Sequence, residues 1–222
     1  MGYLLYYVLP FAAAYAVQNP LIALAAVVIF AARGWLPDPV VWLRTYSHAR
    51  ALRQQVKANP ANAVARRDLA RILIAHRRPK SALPLLDEAL RRAPDDPALL
   101  VLAGEAHLAA GDPESALAPL VRAVELAPSI LYGEPYRIAG RALARLRRFE
   151  EAEDAFERFL RFQGSSIAGH VELALVRRRR GDAAAARASL AEGIDTFSQV
   201  PWFKKREQLG WLVAAHVVRI FT

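Results

Sequence analysis

LARILIAHRRPKSALPLLDEALRRAP, residues 69–94, and AGEAHLAAGDPESALAPLVRAVELAP, residues 103–128, are two copies of one pattern set 34 residues apart. Overlaying them places Ala82 on Ala116, Leu86 on Leu120, Ala89 on Ala123 and Pro94 on Pro128. A further step of 36 reaches Ala152 and Phe156, and another 34 reaches Ala186 and Leu190. The same steps align Leu69-Ala70, Ala103-Gly104, Ala139-Gly140 and Leu173-Ala174. They also align four breaks: Arg77-Arg78-Pro79, Gly111-Asp112-Pro113, Arg147-Arg148-Phe149 and Gly181-Asp182-Ala183. Small residues at fixed helical spacing, interrupted at mid-period by turn residues, predict a helix, a turn and a second helix in every copy. In the first copy the helices fall at about Ala63–His76 and Lys80–Arg92.

A 34-residue period with this pattern of small residues and prolines resembles the tetratricopeptide repeat (TPR) family, over about 137 of 222 residues. The resemblance implies an all-α solenoid of four hairpins, 61–96, 97–130, 131–165 and 166–199, with capping helices at both ends. Ala70, Gly104, Gly140 and Ala174 would let neighbouring helices approach, and Leu86, Leu120, Phe156 and Leu190 would fill the space between hairpins. Pro94 and Pro128 end second helices, and Asp95-Asp96-Pro97 suits a helix start. The third copy departs from the pattern. Ser129-Ile130-Leu131-Tyr132-Gly133 adds two residues, and Gly164-Ser165-Ser166 closes the copy without proline.

Composition excludes several chemistries. The chain has no cysteine, so disulfides, thiolate metal sites and cysteine nucleophiles are ruled out. His48, His76, His107, His170 and His216 are dispersed, with no pair at metal-ligand spacing. Ala110-Gly111-Asp112 is a turn, not a phosphate loop, and no serine sits in a nucleophile elbow. Glu150, Glu151, Glu153 and Asp154 open a helix, where acidic residues are favoured. No enzyme activity, cofactor or metal is expected. The formal charge of +9, carried mainly by arginine, is compatible with an acidic partner, anionic lipid or an arginine-rich proteome. Nucleic acid ranks last, because no aromatics interleave the Arg177–Arg180 run.

Residues 1–32 contain no charged side chain. Tyr3–Val17 and Leu21–Ala32 are apolar runs separated by Gln18-Asn19-Pro20, and each is shorter than the roughly 20 residues a spanning helix needs. Residues 1–36 are expected to form a membrane anchor, foremost a hairpin turning at Asn19-Pro20. A single kinked helix, a cleaved signal and a soluble hairpin are the alternatives. Arg33, Arg44, Arg50, Arg53 and Lys57 follow, so the repeats are placed on the cytoplasmic side of a bacterial inner membrane. Trp35 and Trp42 suit the headgroup level. Residues 37–60 read as an amphipathic linker helix, either a half-repeat capping the first hairpin or a helix on the membrane surface. Leu9-Pro10-Phe11-Ala12-Ala13-Ala14-Tyr15, followed by repeats, is similar to bacterial inner-membrane TPR proteins that regulate lipopolysaccharide synthesis by recruiting a protease. Their cysteine-ligated metal module has no counterpart here, so that function is not carried over.

Residues 200–222 form a further helix, expected as a cap, yet Trp202, Leu209, Trp211, Val213 and Val217 make it apolar on more than one face. Core packing, a docking surface for protein or membrane, and a third transmembrane helix are the alternatives. By resemblance, first helices line the concave face. There the candidate partner-binding residues are Arg67, Arg71, Val101, Glu105, Arg137, Arg141, Arg145, Val171, Leu175, Arg178 and Arg179. Arg137, Arg141 and Arg145 share one stripe, and like charges at that spacing suggest an anionic counterpart, either internal carboxylates or an acidic peptide segment, with a solvated basic face as the alternative. The candidate membrane contacts are Arg33, Arg44, Trp35, Trp42, Trp202 and Trp211. The expected function is a membrane-anchored scaffold that binds partner proteins. The alternatives are a structural subunit of a membrane complex, contacting other transmembrane chains, or a regulatory subunit of a membrane enzyme or protease.

Overall fold

The computed structural model describes residues 39–220. Among them are ten α-helices, one short 3₁₀ turn and no strand. The first helix, α1 (Pro39–Ala58), straddles the division between two compact units, Met1–Ala51 and Leu52–Thr222. The second unit holds four hairpins: α2 (Ala63–Ala75) with α3 (Pro79–Arg92), α4 (Pro97–Ala110) with α5 (Pro113–Leu126), α6 (Glu134–Arg145) with α7 (Phe149–Phe162), and α8 (Ile167–Arg179) with α9 (Ala183–Gln199). α10 (Trp202–Ile220) closes the series against α8 and α9. Each second helix packs on its own first helix and on the first helix of the following hairpin. The anchor expected over 1–36 lies outside the described residues. No described helix is long and apolar enough to cross a membrane, which removes the transmembrane alternative for α10.

The aligned small and large positions do what their spacing predicts. Ala70, Ala82, Leu86, Ala116, Leu120, Ala152, Phe156, Ala174, Ala186 and Leu190 are all buried, between helices that no larger residue would let approach. A methyl group added at Gly104 would lie 2.5 Å from Leu120 Cγ, and one at Gly140 would lie 2.9 Å from the Phe156 ring. Helix starts are capped by side chains. Asn62, Asp112, Asp182 and Ser166 each accept from the amide three residues on, and Asp96 accepts from Ala98 and Leu99. Pro79, Pro97 and Pro113 occupy first-turn positions, where the missing amide hydrogen costs nothing.

The four hairpin turns are one structure. Arg77, Gly111, Arg147 and Gly181 occupy the same turn position, and all adopt left-handed φ, at 57°, 90°, 62° and 92°. In each, the next amide bonds back five residues, to Leu73, His107, Leu143 and Arg177 carbonyls at 2.8–3.0 Å, which satisfies a helix-end acceptor. Glycine accepts this backbone freely, whereas arginine is strained in it. The two extra residues before α6 form the 3₁₀ turn Ile130–Gly133, with Leu131 and Tyr132 also left-handed. Gly133 is obligatory there, since its φ is 80° and a Cβ would meet the Phe162 ring at 2.7 Å.

Candidate functional site

First helices contribute two rows of residues at corresponding repeat positions, and the rows behave differently. Arg67, Arg137, Val101 and Val171 form the first row. Val101 is 3% exposed and Val171 2%, Val101 in a core cluster between the second and third hairpins and Val171 in one between the fourth hairpin and α10. The two valines are core, packed with α6 and α10 respectively, and present little to a ligand. Arg67 and Arg137, in the same row, are half-buried, Arg67 beside Asp68 at 3.3 Å. The second row, one turn on, is Arg71, Glu105, Arg141 and Leu175. It is open, with the first three exposed and Leu175 half-buried. Arg145, Arg178 and Arg179 extend the open surface towards the helix ends.

The arginine stripe on α6 has internal partners. Arg137 donates to Glu134 at 2.5 Å and to Glu172 at 3.4 Å, and its guanidinium lies over the Phe159 ring. Arg141 Nε stands 3.6 Å from Glu172. Arg145 donates to the Leu108 carbonyl at 2.6 Å and so caps the end of α4. Glu172 is the centre of this arrangement. Burial raises its carboxyl above the usual range, against the pull of Arg137 and Arg141, and its Oε2 is buried without a hydrogen-bond partner. Crowding on the inner face likewise raises the Glu105 carboxyl, helped by Glu134 and opposed by Arg137, Arg141 and Arg71. Arg141, Arg145, Glu172, Leu175 and Arg179 rim a recess of about 250 Å³ between α6 and α8, floored by Ala144, Phe156 and Val176.

A second network was not anticipated. Arg177 donates to Glu153 at 2.8 Å, Glu157 at 2.6 Å and the Ser189 hydroxyl at 2.7 Å, while Arg180 also pairs with Glu153. Burial alone would raise the Glu153 carboxyl, but hydrogen bonds from Arg177 and Arg180 outweigh it and hold the group below its ordinary value. Part of the arginine run and part of the acidic cluster are thus one buttress between the third and fourth hairpins. Arg178 and Arg179 remain, with no ion-pair partner among the described residues. Repeat spacing could have signalled Arg137 with Glu172, 35 residues apart, but not this network, whose Arg177 and Glu153 are 24 apart. Of the candidate membrane contacts, Arg33 and Trp35 lie outside the described residues, as do the side chains of Trp42, Arg44 and Trp202. Trp211 is 37% exposed on α10.

The sequence profile described as tetratricopeptide repeat matches residues 46–97, 67–129 and 138–201. Among solved structures, MamA from Desulfovibrio magneticus RS-1 superposes with a TM-score of 0.65 at 17% identity, covering 71% of this chain and 90% of that one. MamA of strain AMB-1 gives 0.60 at 20% identity, covering 72% and 99%. MamA of strain MSR-1 gives 0.59 at 21%, covering 72% and 97%. A search of curated proteins finds no match to the sequence. The first profile match begins inside α1.

Proposed function

The chain belongs to the tetratricopeptide repeat family, and on that premise we propose that it is a non-catalytic scaffold, anchored at the cytoplasmic face of a bacterial inner membrane through residues 1–36, that gathers partner proteins on its inner face. The observation that carries this reading is the open row of first-helix residues around the recess. Arg178 and Arg179 have no ion-pair partner among the described residues, and Arg179 stands at the rim of the recess above its apolar floor. Guanidinium groups at the rim of a small apolar recess fit an acidic peptide segment, with a carboxylate on the arginines and an apolar side chain below. Tethering then works by local concentration: a partner held beside the bilayer meets other membrane-bound components without diffusing to them.

The test is purification of the full chain from membranes with its bound proteins, comparing wild type with Arg178→Glu/Arg179→Glu. Arg137 is unsuitable for reversal, because it is structural. The expected outcome is loss of an acidic partner with unchanged helicity. An unchanged set of partners overturns the groove assignment, and recovery of the chain from the soluble fraction overturns the anchor.

A further inference from the structure

α10 has two apolar faces, and the solenoid uses only one. Leu212, Ala215 and Val218 pack with the α8–α9 core, Ala215 at 1% exposure, and Gln208 accepts from the Ile167 amide at 3.3 Å. On the opposite side Leu209, Val213 and Val217, at i, i+4 and i+8, are 50%, 63% and 48% exposed. A terminal helix of a repeat array is expected to be polar outside. Here the outward stripe is apolar along more than two turns, with Gly210 at its margin.

We infer that this stripe rests on the surface of an anionic lipid bilayer, giving the solenoid a membrane contact distinct from residues 1–36. The inference rests on the membrane reading above. Two observations choose lipid over a protein partner. The stripe is the convex ridge of a single helix, which a flat, deformable apolar layer accommodates without a matching groove. The helix also carries Lys204, Lys205, Arg206 and Arg219 against Glu207, three net positive charges. An apolar stripe on a basic helix too polar to cross a membrane is the composition of a helix lying in the headgroup region. Lys205 is held by the Ser198 carbonyl at 2.8 Å and by the Phe197 ring, which fixes the start of the helix against α9.

Because the chain has no cysteine, Val213→Cys provides a single thiol for a spin label on the full-length protein. Arg187→Cys, on the exposed side of α9, is the aqueous control. Both are mixed with vesicles of phosphatidylcholine alone and of phosphatidylcholine with phosphatidylglycerol, then assayed for pelleting and for collisions with oxygen and with a nickel chelate. At position 213 the ratio of oxygen to nickel accessibility is expected to rise on anionic vesicles only. It should fall back at about 1 M salt, where the Debye length is about 3 Å, and should be lost with Leu209→Glu/Val217→Glu. A pelleted chain whose label stays aqueous overturns the inference and leaves the N-terminal anchor standing. A label shielded from both reagents means protein covers the stripe and also overturns it, with dipolar broadening identifying a second copy. A salt-reversible lipid signal on a chain that salt also releases from vesicles keeps the inference and removes the anchor.

Discussion

Gly140 and Phe156 form a pair that the repeats themselves make testable. Sixteen residues separate them, as they do Ala70 from Leu86, Gly104 from Leu120 and Ala174 from Leu190. Where the second member is leucine, alanine stands opposite it in the first and fourth hairpins and glycine in the second. Opposite phenylalanine the chain has glycine. An alanine methyl at 140 would sit 2.9 Å from Cε1 and Cζ of Phe156 and 3.1 Å from Cδ1, inside the roughly 3.5–4.0 Å of ordinary contact. The ring is 1% exposed and cannot swing away. Overpacking of this kind costs about 1–3 kcal/mol, against about 0.8–1.0 kcal/mol gained by replacing a helical glycine with alanine. Gly140→Ala is therefore expected to destabilise by about 0–2 kcal/mol. Phe156→Leu alone should lose about 1 kcal/mol, the offset between phenylalanine and leucine truncation ranges. The double variant recreates the Ala70–Leu86 arrangement, so it should fall within about 0.5 kcal/mol of wild type, a coupling of about 1–3 kcal/mol. Urea unfolding of the four proteins, followed by circular dichroism in one detergent, measures the cycle. Strictly additive losses would refute the claim that ring size dictates the glycine.

Arg147→Gly should raise the thermal midpoint, gaining about 0.5–1 kcal/mol, because relief of left-handed strain exceeds the entropy glycine adds to the unfolded chain; a lower midpoint contradicts the turn geometry. Glu153→Ala strips Arg177 and Arg180 of a shared carboxylate and should cost about 1–3 kcal/mol, with faster amide exchange in α7 and α8. Its folded value is depressed below 4.5, so its contribution is present above that pH and lost as pH falls through the folded value. Acid titration of stability should therefore be shallower in the variant, and an equal slope would count against the pair. Glu172 has the opposite sign. With its folded value raised above 4.5, stability declines as pH rises from there through the folded value, and Glu172→Gln should remove that decline in midpoint-against-pH curves.

The periodicity was legible because packing imposes it. Ala82, Leu86 and their counterparts recur since every hairpin must bury the same face, and the turns recur since every first helix must end the same way. Side-chain rows on the inner face were less legible. Val101 and Val171 share a repeat position with Arg67 and Arg137, yet whether that position is open depends on how closely successive first helices approach, which one sequence does not state. The pairing of Arg137 with Glu172 and of Arg177 with Glu153 joins different hairpins, so single-helix charge patterns pointed instead to solvated stripes. The left-handed arginines at 77 and 147 were visible only by alignment with Gly111 and Gly181.

The inter-hairpin ion pairs also distribute mechanical strength. Glu153 ties the third hairpin to the fourth through Arg177 and Arg180, so that seam is riveted by charge as well as by packing. Under tension applied along the stack, the seam between the third and fourth hairpins would therefore resist parting more than packing alone would allow.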